Sequence, residues 1–297
     1  MDGILITDKP EGWTSHDVVA KVRRIFKTKR VGHTGTLDPF ATGVLVVLLG
    51  KATRLAQFLD KDEKEYEAFV RFGVETDTGD RTGVRTADCG LRNEDIEDRL
   101  RNINWPLVLK KFTGEIEQTS PMYSAKKVEG RKLYELARQG VAVTRQPVKI
   151  FVRELEIVGA EGSAARIRVV CSAGTYIRTL SEDIGREVGL AAHLEELRRT
   201  RAGRFGLSES VKIDELEEAN DPSIFLRDIR SAVEHLPKFI LPPERVERTR
   251  SGLPTRVQDD FPPTHGPLRM MDESGELIAI GYFDSEGQAI QPKIVLV

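Results

Sequence analysis

The chain has 297 residues, of which 39% are hydrophobic and 31% charged, and its 45 Lys+Arg against 47 Asp+Glu leave a formal net charge of −2. That balance fits a folded, soluble chain of about two domains and excludes the disordered and fibrous classes. Cys89 and Cys171 form neither a CxxC pair nor a Cys/His cluster for zinc, the longest apolar run is too short to span a bilayer, and the first residues lack the pattern of a secretory signal. A cytoplasmic location is expected.

In chain order, a short strand over 3–7 leads into the turn Lys9-Pro10-Glu11-Gly12. Thr14 or Ser15 caps a helix running to Lys27, because Val18, Val19, Val22, Ile25 and Phe26 recur at helical spacing. Its other face carries Lys21, Arg23, Arg24 and Lys27. A Gly/Thr-rich loop over 30–39 precedes the apolar run 44–49, a buried strand or helix segment. Residues 64–74 alternate as a half-buried strand, with Tyr66, Ala68, Val70 and Phe72 on one side. Helices are predicted over 94–103, 106–112 and 131–139, strands over 149–158 and 165–171, then helices over 176–188 and 191–198. With no βαβ rhythm and no repeat, the class is α+β with mainly antiparallel strands. Pro222, Pro237, Pro242 and Pro243 mark a break, so that 1–236 and 240–297 are expected to be separate domains. The second is a small β domain with strands over 268–272, 277–283 and 293–297 and a proline-rich surface loop over 261–267.

Charge is unevenly placed. Residues 16–54 hold eight basic residues against Asp17 and Asp38, and 124–153 hold eight against Glu129 and Glu135. Arg198, Arg199, Arg201 and Arg204 form a third cluster. Three basic segments in a slightly acidic chain fit a one-sided nucleic-acid surface.

Chemistry is densest in the loop over 32–43. Its glycines let the backbone approach a ligand, and Pro39 stiffens the chain that presents Asp38. A carboxylate there can attack an electron-poor carbon or accept a proton if a positive partner holds it. The loop matches neither GxxxxGK[ST] nor GxGxxG, which disfavours a nucleotide site. Tyr66 is either a core aromatic or a ring that stacks on a base. Asp77 and Asp80 are assigned to a polar turn. Arg178 falls in the first turn of a helix, where the dipole opposes a cation; if buried it needs a carboxylate, and Asp38 is the partner proposed. His16, His33 and His193 lack metal-ligand spacing.

The motifs Lys9-Pro10-Glu11-Gly12-Trp13-Thr14-Ser15, Gly32-His33-Thr34-Gly35-Thr36-Leu37-Asp38-Pro39, Ser172-Ala173-Gly174-Thr175-Tyr176-Ile177-Arg178 and His193-Leu194-Glu195-Glu196-Leu197-Arg198-Arg199 follow in order around Tyr66. Together they resemble the bacterial tRNA pseudouridine synthases acting on the T arm, over roughly residues 1–215. The resemblance implies the pseudouridine synthase fold, a mixed, largely antiparallel central sheet flanked by helices and loops. It further implies isomerisation of uridine 55 in the T loop with no metal, nucleotide or other cofactor. Asp38 would be the catalytic aspartate, with attack at C1′ and loss of the C2′ proton both open. Tyr66 would stack on the base and take part in deprotonating C5, and Arg178 would orient Asp38. Leu197, Thr36 and Tyr176 would contact the flipped nucleotide, His33 would fill the space it leaves, and Lys9 would pack behind the catalytic loop. Lys21, Arg24, Lys126, Lys127, Arg131 and Arg198 would grip the RNA backbone, the middle three from a basic insertion near 124–150. The family implies a monomer that binds the T arm of tRNA without a membrane or an obligate protein partner. The C-terminal part resembles a PUA domain more weakly, because Asp259-Asp260 departs from its pattern. Two alternatives stay open on sequence alone: an RNA-binding or RNA-folding factor without catalysis, and a guide-dependent pseudouridine synthase subunit.

Overall fold

A computed structural model describes residues 1–124, 126–128, 130–141, 143–257 and 265–296. The pair Asp259-Asp260 and most of the proline-rich loop lie outside them. The first half contains β1 (Gly3–Lys9), α1 (Ser15–Ile25), β2 (Val31–Thr34), β3 (Thr42–Leu49), α2 (Ala56–Leu59), β4 (Lys64–Phe72), β5 (Val74–Thr76), β6 (Arg85–Asp88), α3 (Asn93–Arg101), α4 (Trp105–Lys110) and β7 (Gly114–Gln118). Then come β8 (Lys127–Val128), β9 (Arg131–Lys132), α5 (Leu133–Arg138), β10 (Val148–Glu161), β11 (Ala164–Cys171), α6 (Ile177–Glu187), β12 (Ala192–Ala202), β13 (Phe205–Gly206), β14 (Val211–Lys212) and α7 (Ile213–Glu218). The C-terminal part holds β15 (Lys238–Ile240), α8 (Pro243–Arg250), β16 (Thr255–Arg256), β17 (Pro267–Met271), β18 (Leu277–Asp284) and β19 (Ala289–Val295).

The main sheet runs β14-β1-β3-β12-β4-β11-β10-β7, with β2 also paired to β3 and β13 to β12. Only β1 with β14 and β3 with β12 are parallel pairs, so the sheet is mixed and largely antiparallel, and the class is α+β. Strand β3 explains its own unbroken apolar run. Val44, Val46 and Leu48 pack with Ile4 and Ile6 on one face, while Leu45, Val47 and Leu49 pack with Leu5 and with Val18, Val19 and Val22 of α1 on the other. A strand covered on both faces has no polar side to alternate with. Helix α1 starts at Thr14 because its side chain accepts from Asp17 N–H while the Asp17 carboxylate accepts from Thr14 N–H.

A further core places Tyr66, Ala68 and Val70 of β4 against Ile167 and Val169 of β11 and Ile177, Leu180 and Ile184 of α6. The opposite face of these strands is polar: Arg168 meets Glu65, Glu154 and Glu156, and Arg201 also meets Glu65.

The helix predicted over 191–198 is instead strand β12, which lies between β3 and β4. Two register shifts against β4, at Leu194/Glu196 and Arg199/Arg201, are responsible. Each bulge adds a residue to the strand's alternation, so the buried positions Leu194, Leu197, Arg199 and Ala202 include steps of three, which in sequence mimic a helical face.

In the C-terminal sheet the order is β15-β17-β18-β19-β16. Strands β17 and β18 match those predicted to within a residue, whereas β19 begins at Ala289, four residues before the strand predicted over 293–297; β15 and β16 are short and fall outside the predicted strands, β15 inside the proline-rich break. Leu277, Ile280, Ile294 and Leu296 of this part join the same apolar cluster as Ile4, Val44 and Val46. The two sheets therefore share a core. Among the described residues no helix is long and apolar enough to cross a membrane.

The junction of β3 with β12 is tight. Gly43 has φ +102°, and a Cβ there would lie 2.2 Å from the Arg199 carbonyl oxygen. Gly43→Ala is expected to lower unfolding free energy by on the order of 3 kcal/mol, measured by urea denaturation; an unchanged midpoint would contradict this packing.

Candidate active site

The loop between β2 and β3 is anchored from behind. Lys9, fully buried, donates from Nζ to the carbonyls of Pro10 (2.9 Å), Trp13 (2.6 Å) and Pro39 (3.2 Å). Its burial, the largest influence, brings its pKa down to about 8. Ser15 Oγ accepts from Leu37 N–H at 2.9 Å, while the Leu37 and Phe40 side chains are buried in the β4–α6 core. Asp38 lies between these two anchored residues with its side chain half-buried.

Its carboxylate meets Arg178, with Oδ2 3.0 Å from Nε and Oδ1 3.3 Å from Nη2. Arg178, only 5% exposed at its side chain, also donates to the carbonyls of Thr78 (2.8 Å) and Tyr123 (2.7 Å). A second carboxylate, Asp80, stands 3.6 Å from its Nη1. A cation at the start of α6 is disfavoured by the helix dipole, and two carboxylates with two carbonyls compensate it. Burial pushes the Asp38 carboxyl above the usual range; Arg178 pulls it back, Asp80 raises it again and Lys9 lowers it.

Asp80 corrects the reading of its stretch as only a polar turn. The turn is there, between β5 and β6, but it folds onto α6 and buries Asp80. Its Oδ1 accepts from Thr78 Oγ1 (2.9 Å), Thr82 N–H (2.9 Å) and Thr82 Oγ1 (2.5 Å). Gln118 is another residue sequence reasoning missed. Buried at the end of β7, it accepts from Tyr176 N–H at 2.8 Å and donates to Tyr176 O at 3.0 Å, fixing the chain just before α6.

A cavity of about 280 Å³ opens beside Asp38, lined by Thr36, Tyr66, Ser124, Tyr176, Leu197 and Arg199 among others. Tyr66, Arg178, Thr36, Tyr176 and Leu197 thus come together with Asp38 around one space. Burial raises the Tyr66 phenol pKa, opposed first by Arg199. A second cavity of about 490 Å³ lies on the other side of the loop, lined by His16, Asp38, Asp80, Tyr123 and Tyr134. His33, on β2, stacks edge-on against His16 with ring centroids 5.5 Å apart, and its buried Nδ1 has no hydrogen-bond partner.

The predicted RNA-gripping residues are more scattered. Arg24 is exposed on α1, while Lys21 pairs with Glu217. Lys126 donates to Ser120 Oγ at 3.2 Å and the exposed Arg131 to Gln139 Oε1 at 2.6 Å; the Lys127 side chain is not among those described. Arg198 lies outside both Asp38 cavities, paired with Asp8 at 2.7 Å. It is the adjacent Arg199, on the other side of β12, that enters the site.

The sequence profile described as TruB family pseudouridylate synthase (N terminal domain) matches residues 23–177. The one described as tRNA pseudouridylate synthase B C-terminal domain matches 178–246. A protein named tRNA pseudouridine synthase B from Solibacter usitatus is 44% identical over 288 residues, 95% of each chain. One of the same name from Geobacillus thermodenitrificans is 42% identical, over 94% of each. Among solved structures, a Cbf5-Nop10-Gar1 complex superposes with a TM-score of 0.69 at 29% identity, covering 99% of this chain and 85% of that one. The fold and site are those of a uridine-isomerising enzyme. More narrowly, the chain belongs to the TruB family of pseudouridylate synthases.

Burial, with the charges of His16 and Arg199, lowers the His33 pKa from 6.5 to about 4. A histidine held neutral by the fold costs stability when the unfolded chain binds a proton that the folded one refuses. Stability is therefore expected to fall as pH drops from 6.5 toward 4, and His33→Asn to flatten that limb of the melting-temperature profile. Equal slopes in both proteins would contradict the assignment.

Proposed function

We propose that the chain binds the T arm of tRNA and converts the uridine at position 55 into pseudouridine, acting as a monomer without a cofactor. The observation that carries this reading is Asp38, a carboxylate held by a buried arginine at the edge of a cavity walled by Tyr66. The tRNA substrate is supported by the name the relatives share.

A uridine inside a folded T loop is out of reach until it leaves the stack, at a cost of a few kcal/mol. Stacking on Tyr66 and contacts with Thr36, Tyr176 and Leu197 offset that cost. Asp38 then acts at the ribose. Burial raises its pKa, while Arg178 favours the charged form and fixes both oxygens, so that the reacting carboxylate is aimed at one place. Attack on C1′ and removal of the C2′ proton both start from this placement. The C1′–N1 electron pair leaves with the uracil, the ring turns in the cavity, and C5 bonds to C1′ as the Asp38–C1′ ester bond breaks on the first route, or as Asp38 returns the proton to C2′ on the second. Loss of the C5 proton, beside Tyr66, and uptake of a proton at N1 complete the isomerisation. Substrate and product contain the same atoms, so no oxidant or reductant enters the balance.

Arg24 on α1 and Arg131 beside α5 are exposed cations from the two basic segments, suited to RNA phosphates. Against the guide-dependent reading, the proteins sharing 42–44% identity over nearly the whole chain bear the name tRNA pseudouridine synthase B.

Asp38→Asn is expected to bind T-arm RNA with affinity close to wild type and to form no pseudouridine, read by mapping the modified base. Because Asp80 remains beside Arg178, its melting temperature should match or exceed that of the wild type. Pseudouridine formed by Asp38→Asn would contradict the proposal.

A further inference from the structure

Arg199 is 1% exposed and among the largest fully buried side chains of the described residues. Its neighbour Arg198 has a carboxylate partner, and among the described residues Arg199 has none within ion-pair distance. It is held by carbonyls, donating from Nε to Val44 O at 2.7 Å and from Nη2 to Gly35 O at 2.8 Å. Burying a cation without an opposite charge is costly, so the fold carries it in spite of stability.

Its position is singular in three respects. Through Gly35 it grips the start of the Asp38 loop. Its backbone lies in register with Gly43, at the loop's end. Across the sheet it stands directly opposite Tyr66, and both line the Asp38 cavity. One residue thus spans both ends of the loop and the ring that faces it.

We propose that Arg199 is a positioning residue for the second half of the reaction: it fixes the Tyr66 hydroxyl and supplies the positive charge against which that hydroxyl becomes the base for C5. This rests on the reading of the site given above. Once C1′ has bonded to C5, that carbon still carries its hydrogen. The Tyr66 phenolate takes the proton, the C5–H electron pair restores the C5–C6 double bond, the N1–C6 π pair returns to N1, which takes up a proton from solvent, and the phenol later releases its own proton to solvent. Burial raises the phenol pKa, and Arg199 is the foremost opposing influence. The other groups in its surroundings do not substitute for it. Cys171 on β11 and Asp38 on the loop both raise the phenol further. Lys64 on the same strand has a pKa of about 8 and is tied to Leu59, Asp60 and Asp62. Lys9 also sits at about 8, and His33 at about 4 is neutral. Asp60 lines the cavity with its carboxyl pKa raised by burial, and Arg178 is committed to Asp38 and Asp80.

The test is an ultraviolet difference titration that isolates Tyr66 by subtracting the matching Tyr66→Phe protein, made in wild type, Arg199→Gln and Arg199→Lys. Arg199→Gln is expected to move the Tyr66 titration up by at least about one pH unit. Its single-turnover rate should fall by about tenfold or more, the size of that unit, while T-arm RNA affinity stays near wild type. Should Arg199→Gln fail to fold, Arg199→Lys decides. A buried lysine here loses its proton in the alkaline range, as Lys64 does, so the rate relative to wild type should decline as pH rises above neutral. An unmoved Tyr66 titration in Arg199→Gln, or an Arg199→Lys profile parallel to wild type, overturns the inference. Pseudouridine formation by Asp38→Asn would instead overturn the reading beneath it.

Discussion

The guanidinium of Arg178 is the point on which the site depends. Four separate segments converge on it: Asp38 from the loop after β2, Thr78 and Asp80 from the β5–β6 turn, Tyr123 from the segment after β7, and its own helix α6. None of these contacts is local in sequence, so the cluster forms only when the sheet and α6 have docked. A bidentate arginine–carboxylate pair fixes orientation as well as charge. For Asp38 this matters because burial alone would favour its protonated, unreactive form.

The same contacts tie the Asp38–Arg178 pair to the basic segment after β7. Tyr123 precedes the hairpin β8–β9 and helix α5, and its carbonyl accepts from the arginine that holds Asp38. Lys126 and Arg145 both bond Ser120, closing this segment on itself near the site. A surface proposed to meet RNA phosphates is therefore one hydrogen bond away from the arginine that holds the carboxylate proposed to react. Gln118 adds a second brace by fixing both backbone groups of Tyr176 just ahead of α6. In a sheet whose outer face is covered by exposed ion pairs, the energetic weight falls on these buried polar contacts, since exposed pairs contribute little.

Much of the fold was legible because most strands and helices keep their simple periods. Strand β4 alternates cleanly, α1 carries its cap in Thr14 and Asp17, and both were readable from the residues. Asp38 stood out through its glycine-flanked loop, and its pairing with Arg178 followed from the poor fit of a cation at a helix start. What was hidden depended on tertiary burial. Asp80 looks like any turn aspartate until the β5–β6 turn is seen folded onto α6. Arg199 was masked by the bulges of β12, which gave a strand the spacing of a helix and made Arg198 seem the more useful of the pair. Gln118 carried no signal at all, since its two bonds join residues 58 apart. The shared core of the two sheets was equally invisible, because the apolar faces of β1 and β3 do not announce which element covers them.

The most direct measurement is carboxyl carbon NMR on uniformly labelled protein, with the Asp38 resonance identified by its absence in Asp38→Asn. The expected result is an ionised Asp38 at neutral pH in the wild type and a protonated one in Arg178→Gln. An Asp38 already protonated in the wild type at neutral pH, or equally ionised in both proteins, would contradict it.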